Sequence, residues 1–271
     1  MGDRILSSGI ESLAEIVAFV GRRTPAFFLD FDGTLAPLES RPDVVVLPEE
    51  TRRVLGELAR DHVVCVVSGR GLLDLRQKVG LDTLYYAADH GHRILGPPGT
   101  GIDFEIGPQE RNDLETAAYE LDQRLRHIEG ALVETKGVSM SVHYRLVSED
   151  DRPLVHRIIK EVMRTLPGFR LTSGKLVHEV VPESDWNKGQ AVLWLLQRLQ
   201  ASRKTTCPLC LGDDRTDEDM FVAVEGWGVT LVVDDTHKDT HATYVLGDHT
   251  ETETFLRSFV TPPRDTSHAP G

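Results

Sequence analysis

Asp30-Phe31-Asp32-Gly33-Thr34 sets two carboxylates one residue apart, just before a glycine, at the end of an apolar run. Alternation along a strand points the two acids in different directions from one strand end, and Gly33 lets the chain turn sharply behind them. Two acids with separate tasks can share such a site. One attacks as a nucleophile and touches a metal, while the other donates and recovers a proton, provided their surroundings separate their pKa values. A second acidic stretch, Gly212-Asp213-Asp214-Arg215-Thr216-Asp217-Glu218-Asp219, also follows an apolar run and supplies the hard oxygen donors that Mg²⁺ favours. A cation held by a carboxylate from each strand end would screen the repulsion between an attacking Asp30 and a phosphate. Ser68-Gly69-Arg70 offers a hydroxyl and backbone N–H groups at a helix start, a natural anion site. Lys188 opens another predicted helix, where a cation opposes the helix dipole unless an anion lies in front of it; a phosphate would be that anion. The bare Asp-x-Asp pattern also suits a metal-bound nucleotide sugar, as in glycosyltransferases, and that alternative stays open on these residues alone.

The elements that must position these groups read as strand, helix, strand, helix, strand. Ala26 to Phe31 is a short buried strand between Pro25 and Gly33; a helix from Glu49 to Arg60, a strand at Val63 to Val67, a helix from Leu72 to Val79 and a strand at Leu84 to Ala88 follow. That is the grammar of a parallel sheet covered on both faces, in which ligands bind beyond the carboxyl ends of strands, where Asp30 and Ser68 both fall. The pattern changes after the turn-rich Gly96-Pro97-Pro98-Gly99-Thr100-Gly101. A helix from Glu110 to Ile128, strands at Ala131 to Lys136 and Ser139 to Leu146, a helix from Pro153 to Leu166 and strands at Phe169 to Thr172 and Leu176 to Val181 make a small α+β unit. After Pro182 the first grammar returns, with a helix from Lys188 to Leu199, a strand at Leu209 to Leu211, a helix near Asp217 and a strand at Gly228 to Val233. The expected fold is α/β: a doubly wound parallel-sheet core over residues 1–103 and 182–271, with an α+β cap inserted at 104–181. Pro262 to Gly271 reads as a loose tail.

Thirty Lys and Arg against 43 Asp and Glu give a net charge of −13, and such a field repels phosphate backbones and anionic lipid surfaces. Nucleic acid and membrane are therefore not expected partners. An anionic substrate needs a local pocket where metal ions or cations reverse the sign. No apolar run approaches the ~20 residues that cross a bilayer, and the first residues are charged where a secretory peptide is apolar, so the expected location is cytoplasmic. Cys207-Pro-Leu-Cys210 has redox-motif spacing but lies in an apolar segment and reads as buried strand. His237 and His241 have the four-residue spacing of zinc ligands, but their polar surroundings favour a loop.

Taken in order, Asp30-x-Asp32-Gly-Thr, Ser68, Lys188 and Gly212-Asp213-Asp214 resemble the four motifs of the haloacid dehalogenase (HAD) superfamily of phosphatases. More narrowly, Val67-Ser68-Gly69-Arg70, Asp89-His90-Gly91, Glu134-Thr-Lys136-Gly-Val-Ser139, Val142-His143-Tyr144-Arg145, Glu179-Val-Val-Pro182, Asn187-Lys188-Gly189 and the stretch from Gly212 to Phe221 are similar to trehalose-6-phosphate phosphatases. That family typically carries Glu-His-Gly where this chain has Asp89-His90-Gly91, a shortening of the acid outside the catalytic set. The resemblance implies hydrolysis of trehalose 6-phosphate, with Asp30 as the nucleophile that forms an aspartyl-phosphate and Asp32 as the acid and base. It implies Mg²⁺ held by Asp30, the Asp32 backbone carbonyl and Asp213, with Asp214 or Asp217 orienting these ligands from behind.

By the same resemblance Ser68 and Lys188 bind phosphoryl oxygens, and Gly33, Thr34, Gly69, Arg70 and His90 surround the substrate. Glu134, Lys136 and Glu179 are implied sugar contacts in the cap, which closes over the core and excludes water. His143 and Arg145 are further candidates, unless alternation turns them to the solvated face. The partner so implied is a small-molecule sugar phosphate, with functional association with a trehalose-phosphate synthase as a further expectation. Sucrose phosphate or a glycosylglycerate phosphate as substrate, or a non-catalytic sugar-phosphate sensor on the same scaffold, are the alternatives.

Overall fold

The structure is a computed structural model that describes residues 6–260 apart from 40, 106, 137, 175, 184, 185 and 235–238. The expected tail at Pro262 to Gly271, and His237, lie outside the described residues. In chain order the elements of the first core segment are β1 (Ser7–Ser8), α1 (Leu13–Val20), β2 (Thr24–Leu29), α2 (Glu49–Leu58), β3 (Val63–Val67), α3 (Leu72–Val79), β4 (Tyr85–Ala88), β5 (Arg93–Leu95) and β6 (Asp103–Glu105). The cap contributes α4 (Pro108–Leu125), β7 (Leu132–Lys136), β8 (Ser139–His143), α5 (Arg152–Met163), β9 (Phe169–Gly174) and β10 (Val177–Pro182). The second core segment is α6 (Lys188–Arg198), β11 (Thr206–Gly212), α7 (Glu218–Ala223), β12 (Val229–Val233), β13 (Tyr244–Leu246) and α8 (His249–Arg257).

Among the described residues the core sheet has nine strands in the order β1-β13-β12-β11-β2-β3-β4-β5-β6. From β1 to β4 every pair is parallel, while β5 and β6 add an antiparallel hairpin at one edge. β2 sends Phe27 and Leu29 to one face and Ala26 and Phe28 to the other, and all four are buried. A strand covered on both faces needs an apolar residue at every position, which is why it reads as a continuous run. Removing a phenylalanine of this kind from water contributes about 1.5 to 3 kcal/mol. Residues of α1, α2, α3 and α8 cover the first face, including Ile16, Leu55, Leu75 and Phe255; Leu195 of α6 and Phe221 of α7 cover the second.

The same alternation disposes of the Cys207/Cys210 pair. An odd spacing on β11 puts Cys207 in the first core face and Cys210 in the second, both fully buried, so the sheet itself separates the two thiols. Gly96 to Gly101 is the loop of the β5–β6 hairpin, closed by Gly96 N–H donating to the Ile102 carbonyl.

The inserted unit is a four-stranded antiparallel sheet, β7-β8-β10-β9, backed on one face by α4 and α5. Its boundary falls later than the expected 103/104, because β6 pairs with β5 and so keeps Phe104 and Glu105 in the core sheet. At the return, Pro182 still closes β10 against Phe169. Leu114, Leu121, Val155 and Ile159 of the helices pack on Met140, Val142 and Val180. Residues of opposite parity, Glu134, Ser139, Ser141, His143, Glu179, Arg170 and Thr172, therefore occupy the face away from the helices. β8 stops at His143 rather than running to Leu146. Arg145 consequently sits exposed in the following turn and not on that face.

Candidate active site

The chain leaves β2 for β3 on one side and returns to β11 on the other, and a reversal of this kind opens a crevice at the carboxyl ends of the strands. Asp30 follows the last residue of β2 and is 5% exposed. Asp213 follows the last residue of β11, and Ser68 the last residue of β3. Lys188 is the first residue of α6, whose N-terminus is capped by the Asn187 side chain accepting from the Gln190 N–H at 2.9 Å.

Lys188 is 2% exposed, and its Nζ donates to Asp30 Oδ1 and to Asp217 Oδ1, both at 2.7 Å. The other oxygen of Asp217 accepts from the backbone N–H groups of Asp213 and Asp214 at 3.0 and 3.1 Å. Asp217 thus ties the lysine to the loop that carries Asp213. Asp30, Asp213 and Asp217 bring carboxylate oxygens within 4.8 Å of one another. Burial, and then the charges of Asp217 and Asp213, push Asp30 well above the ordinary carboxylate range, with Lys188 opposing. Burial together with Asp217 and Asp214 pushes Asp213 up to about 7; burial raises Asp217 to about 6 although Lys188 pulls it down. Burial works against the charge on Lys188, but the surrounding carboxylates outweigh it and raise the lysine. Against a burial that would raise it, Lys188 and the Thr216 hydroxyl hold Asp214 below the usual value.

The turn after Asp30 depends on one glycine. Gly33 has φ +85°, and a Cβ there would lie 2.2 Å from Asp213 Oδ2. Only a residue without a side chain lets the two acidic loops meet. Thr34 Oγ1 donates to Asp213 Oδ1 at 3.2 Å from the same turn.

Asp32 points elsewhere. Both its oxygens accept from the Arg70 guanidinium, at 2.7 and 2.6 Å, and that guanidinium also donates to Asp74 at 2.8 Å and lies over the Phe31 ring. The Arg70 side chain, expected at the substrate, is thereby spent on positioning Asp32. Ser68 is 1% exposed, and its hydroxyl accepts from the Arg70 N–H at 3.2 Å. A Cβ on Gly69 would strike the His90 ring at 2.6 Å, so His90 closes over this loop.

A cleft of about 320 Å³ runs from this site to the polar face of the cap sheet. His90, Trp186, Lys188 and Asp219 line it from the core side, and Ser139, Ser141, Arg170 and Glu179 from the cap. Glu134 and His143 lie on the same cap face and are joined by a 3.0 Å contact between His143 Nε2 and Glu134 Oε2. The expected sites therefore divide. Asp30, Asp213, Asp217 and Lys188 converge; Asp32, Ser68 and Arg70 flank them; Glu134, His143 and Glu179 share the facing sheet; Arg145 lies apart in its turn. Lys136 ends β7, and its side chain lies outside the described residues. Sequence reasoning missed Ser141 and Arg170 in the cleft. The parity of Ser139, Ser141 and His143 along one strand was the signal for the first.

A family model described as trehalose-phosphatase matches residues 28–250. The chain belongs to the trehalose-phosphatase family. Trehalose-phosphate phosphatase B of Arabidopsis thaliana is 33% identical over 270 residues, which cover 96% of this chain and 72% of that protein. Among solved structures, trehalose-6-phosphate phosphatase of Aspergillus fumigatus superposes with a TM-score of 0.65 at 26% identity, over 90% of this chain and 96% of that one. The C-terminal domain of Candida albicans trehalose-6-phosphate phosphatase shares the fold, with a TM-score of 0.69 at 21% identity over 93% and 97% of the two chains. The chain is a phosphatase with the expected HAD-like core and cap. No helix among the described residues is long and apolar enough to cross a membrane.

Proposed function

We propose that this phosphatase hydrolyses trehalose 6-phosphate to trehalose and inorganic phosphate through an aspartyl-phosphate on Asp30. The observation that carries the reading is the meeting of Asp30 and Asp213 from two separate strand ends, with Lys188 bonded to Asp30. Family membership, and the similarity to a relative named trehalose-phosphate phosphatase, support the choice of substrate.

The donor set fits Mg²⁺. Its side-chain donors are carboxylate oxygens, crowded enough that their charges oppose one another. Asp217 has both oxygens engaged by Lys188 and backbone N–H groups, which makes it the residue that orients the site from behind. Asp30, Asp213 and the Asp32 backbone carbonyl would hold the ion. Bound there, it would neutralise charge on the phosphoryl group.

An Asp30 oxygen attacks phosphorus in line while the bond from phosphorus to the sugar oxygen breaks, and Asp32 delivers a proton to the departing oxygen. Asp32 then takes a proton from water as that water attacks phosphorus, which frees phosphate and restores Asp30. Lys188 and Ser68 contact phosphoryl oxygens, and Arg70, which engages both oxygens of Asp32 in the structure, releases one of them for Asp32 to carry the proton while it holds the other in place. The cap excludes water from the first step and offers donors and acceptors to the sugar.

Phosphate release from trehalose 6-phosphate, sucrose 6-phosphate, a glycosylglycerate phosphate and glucose 6-phosphate, with Mg²⁺ and with EDTA, tests the reading. The highest kcat/KM belongs to trehalose 6-phosphate, and EDTA abolishes turnover. Asp30→Asn is inactive with an unchanged CD spectrum. A better kcat/KM on another sugar phosphate removes the trehalose assignment, and turnover by Asp30→Asn removes the nucleophile.

A further inference from the structure

The polar face of the cap sheet carries one row in strict register. Glu134 of β7 stands opposite Ser141 of β8, Ser141 opposite Glu179 of β10, and Glu179 opposite Thr172 of β9. Directly opposed side chains in such a sheet start about 4.5 to 5.5 Å apart, so Ser141 sits within reach of a ligand held by either glutamate. Its neighbours Met140 and Val142 are buried under the cap helices, and that parity commits the Ser141 side chain to the cleft, whose wall it helps form.

Ser141 is 4% exposed, and no hydrogen bond to its hydroxyl from another side chain occurs among the described residues. A hydroxyl without a protein partner on a ligand cleft pairs with water when the cleft is empty, and a ligand that displaces that water must supply the partner. The chemistry of the row says what that partner is. Ionised carboxylates only accept hydrogen bonds, whereas a sugar hydroxyl both donates and accepts. A ring that donates to Glu134 or Glu179 still presents lone pairs, and a serine hydroxyl set between the two carboxylates supplies the donor they lack. The floor is held in place beforehand, since His143 fixes Glu134 from two residues further along the strand of Ser141.

We propose that Ser141 is a specificity-determining residue that donates a hydrogen bond to a hydroxyl of the sugar leaving group. The proposal rests on the sugar-phosphate reading above and assigns the discrimination to one atom, Ser141 Oγ.

The test compares wild type, Ser141→Ala and Ser141→Thr on trehalose 6-phosphate and on p-nitrophenyl phosphate, which has no sugar. The ratio of kcat/KM on the two substrates falls about tenfold in Ser141→Ala, mainly through KM on the sugar phosphate, and Ser141→Thr restores most of it. A ratio within twofold of wild type in Ser141→Ala overturns the proposal. So does an equal loss on both substrates, which would make the serine a support of the common catalytic site. Wild-type enzyme with no preference for trehalose 6-phosphate over p-nitrophenyl phosphate overturns the sugar-phosphate reading itself, and the Ser141 role with it. A clear wild-type preference with an unaffected alanine variant removes only Ser141.

Discussion

Arg70 grips Asp32 by both carboxylate oxygens, Nε to Oδ2 at 2.7 Å and Nη2 to Oδ1 at 2.6 Å. The fork is rigid because Arg70 is itself anchored by Asp74 and the Phe31 ring. A lysine cannot reproduce two parallel N–H bonds. Arg70→Lys and Arg70→Ala are therefore expected to lower kcat by roughly 10- to 100-fold with little change in KM, since the loss falls on proton transfer. Steady-state kinetics on trehalose 6-phosphate decide the matter; an unaltered kcat means that something else aims Asp32.

Lys188 compensates two buried carboxylates at once. Replacing it by Met leaves Asp30 and Asp217 without their cation, and breaking a buried ion pair from one side costs about 3 to 5 kcal/mol. In EDTA, denaturant unfolding of Lys188→Met should show a loss of that order, partly recovered in Mg²⁺ because a cation that binds only the folded protein stabilises it. A loss below about 1 kcal/mol contradicts the compensation that the geometry describes.

Gly33 is where the two acidic loops touch. Adding one methyl brings both a strained φ of +85° and a 2.2 Å approach to Asp213 Oδ2, so Gly33→Ala must displace Asp213 from Asp30. Misplacing a reacting group by about 1 Å can cost 10²-fold in rate. The expected phenotype is a folded protein with kcat down by roughly that factor and a higher Mg²⁺ requirement. Titrating activity with Mg²⁺ measures both, and a wild-type curve would mean that the loops need not approach so closely.

Asp89 lies at the junction of β4 with the cleft, 3% exposed, with its Oδ1 unbonded in the structure. Burial pushes it from the ordinary 3.8 up to about 6, although Arg111 and Arg93 pull it down. Between these two values the folded protein holds a proton that the unfolded chain releases, so this group's contribution to stability declines as pH rises. The penalty is absent below about pH 4 and complete above about pH 6. Asp89→Asn removes it. The variant should gain stability relative to wild type as pH is raised through that window, read from urea midpoints at pH 4 and pH 7. A difference that does not change with pH would show that Asp89 titrates normally.

Most core strands and helices were legible because each buries a full face or stripe, although α1 and α8 were not expected. Val63–Val67 and Leu72–Val79 fall where hydrophobic patterning places them. The missed strands cluster towards the sheet edges. β1, β5, β6 and β13 have two or three residues each, too short for a period to register, and β6 moved the cap boundary because pairing, not composition, assigns a strand to a sheet. In the cap, β8 ended sooner than its apolar content suggested, which took Arg145 off the face that His143 keeps.

The order of residue types along the chain determined the chemistry on offer: two acidic loops, a serine and a lysine, each set at the end or start of an element by the switch from apolar run to turn. Tertiary structure decided how those groups share their charges. Lys188 could have met Asp30 alone, but Asp217 takes its other hydrogen bond. Arg70 could have faced the substrate, yet it spends its fork on Asp32. Ser141 gained its place only when three strands aligned in register. Such pairings depend on distances of a few ångströms between residues remote in the chain. Local pattern sets which face a side chain occupies, but the packing of separate elements chooses its partner.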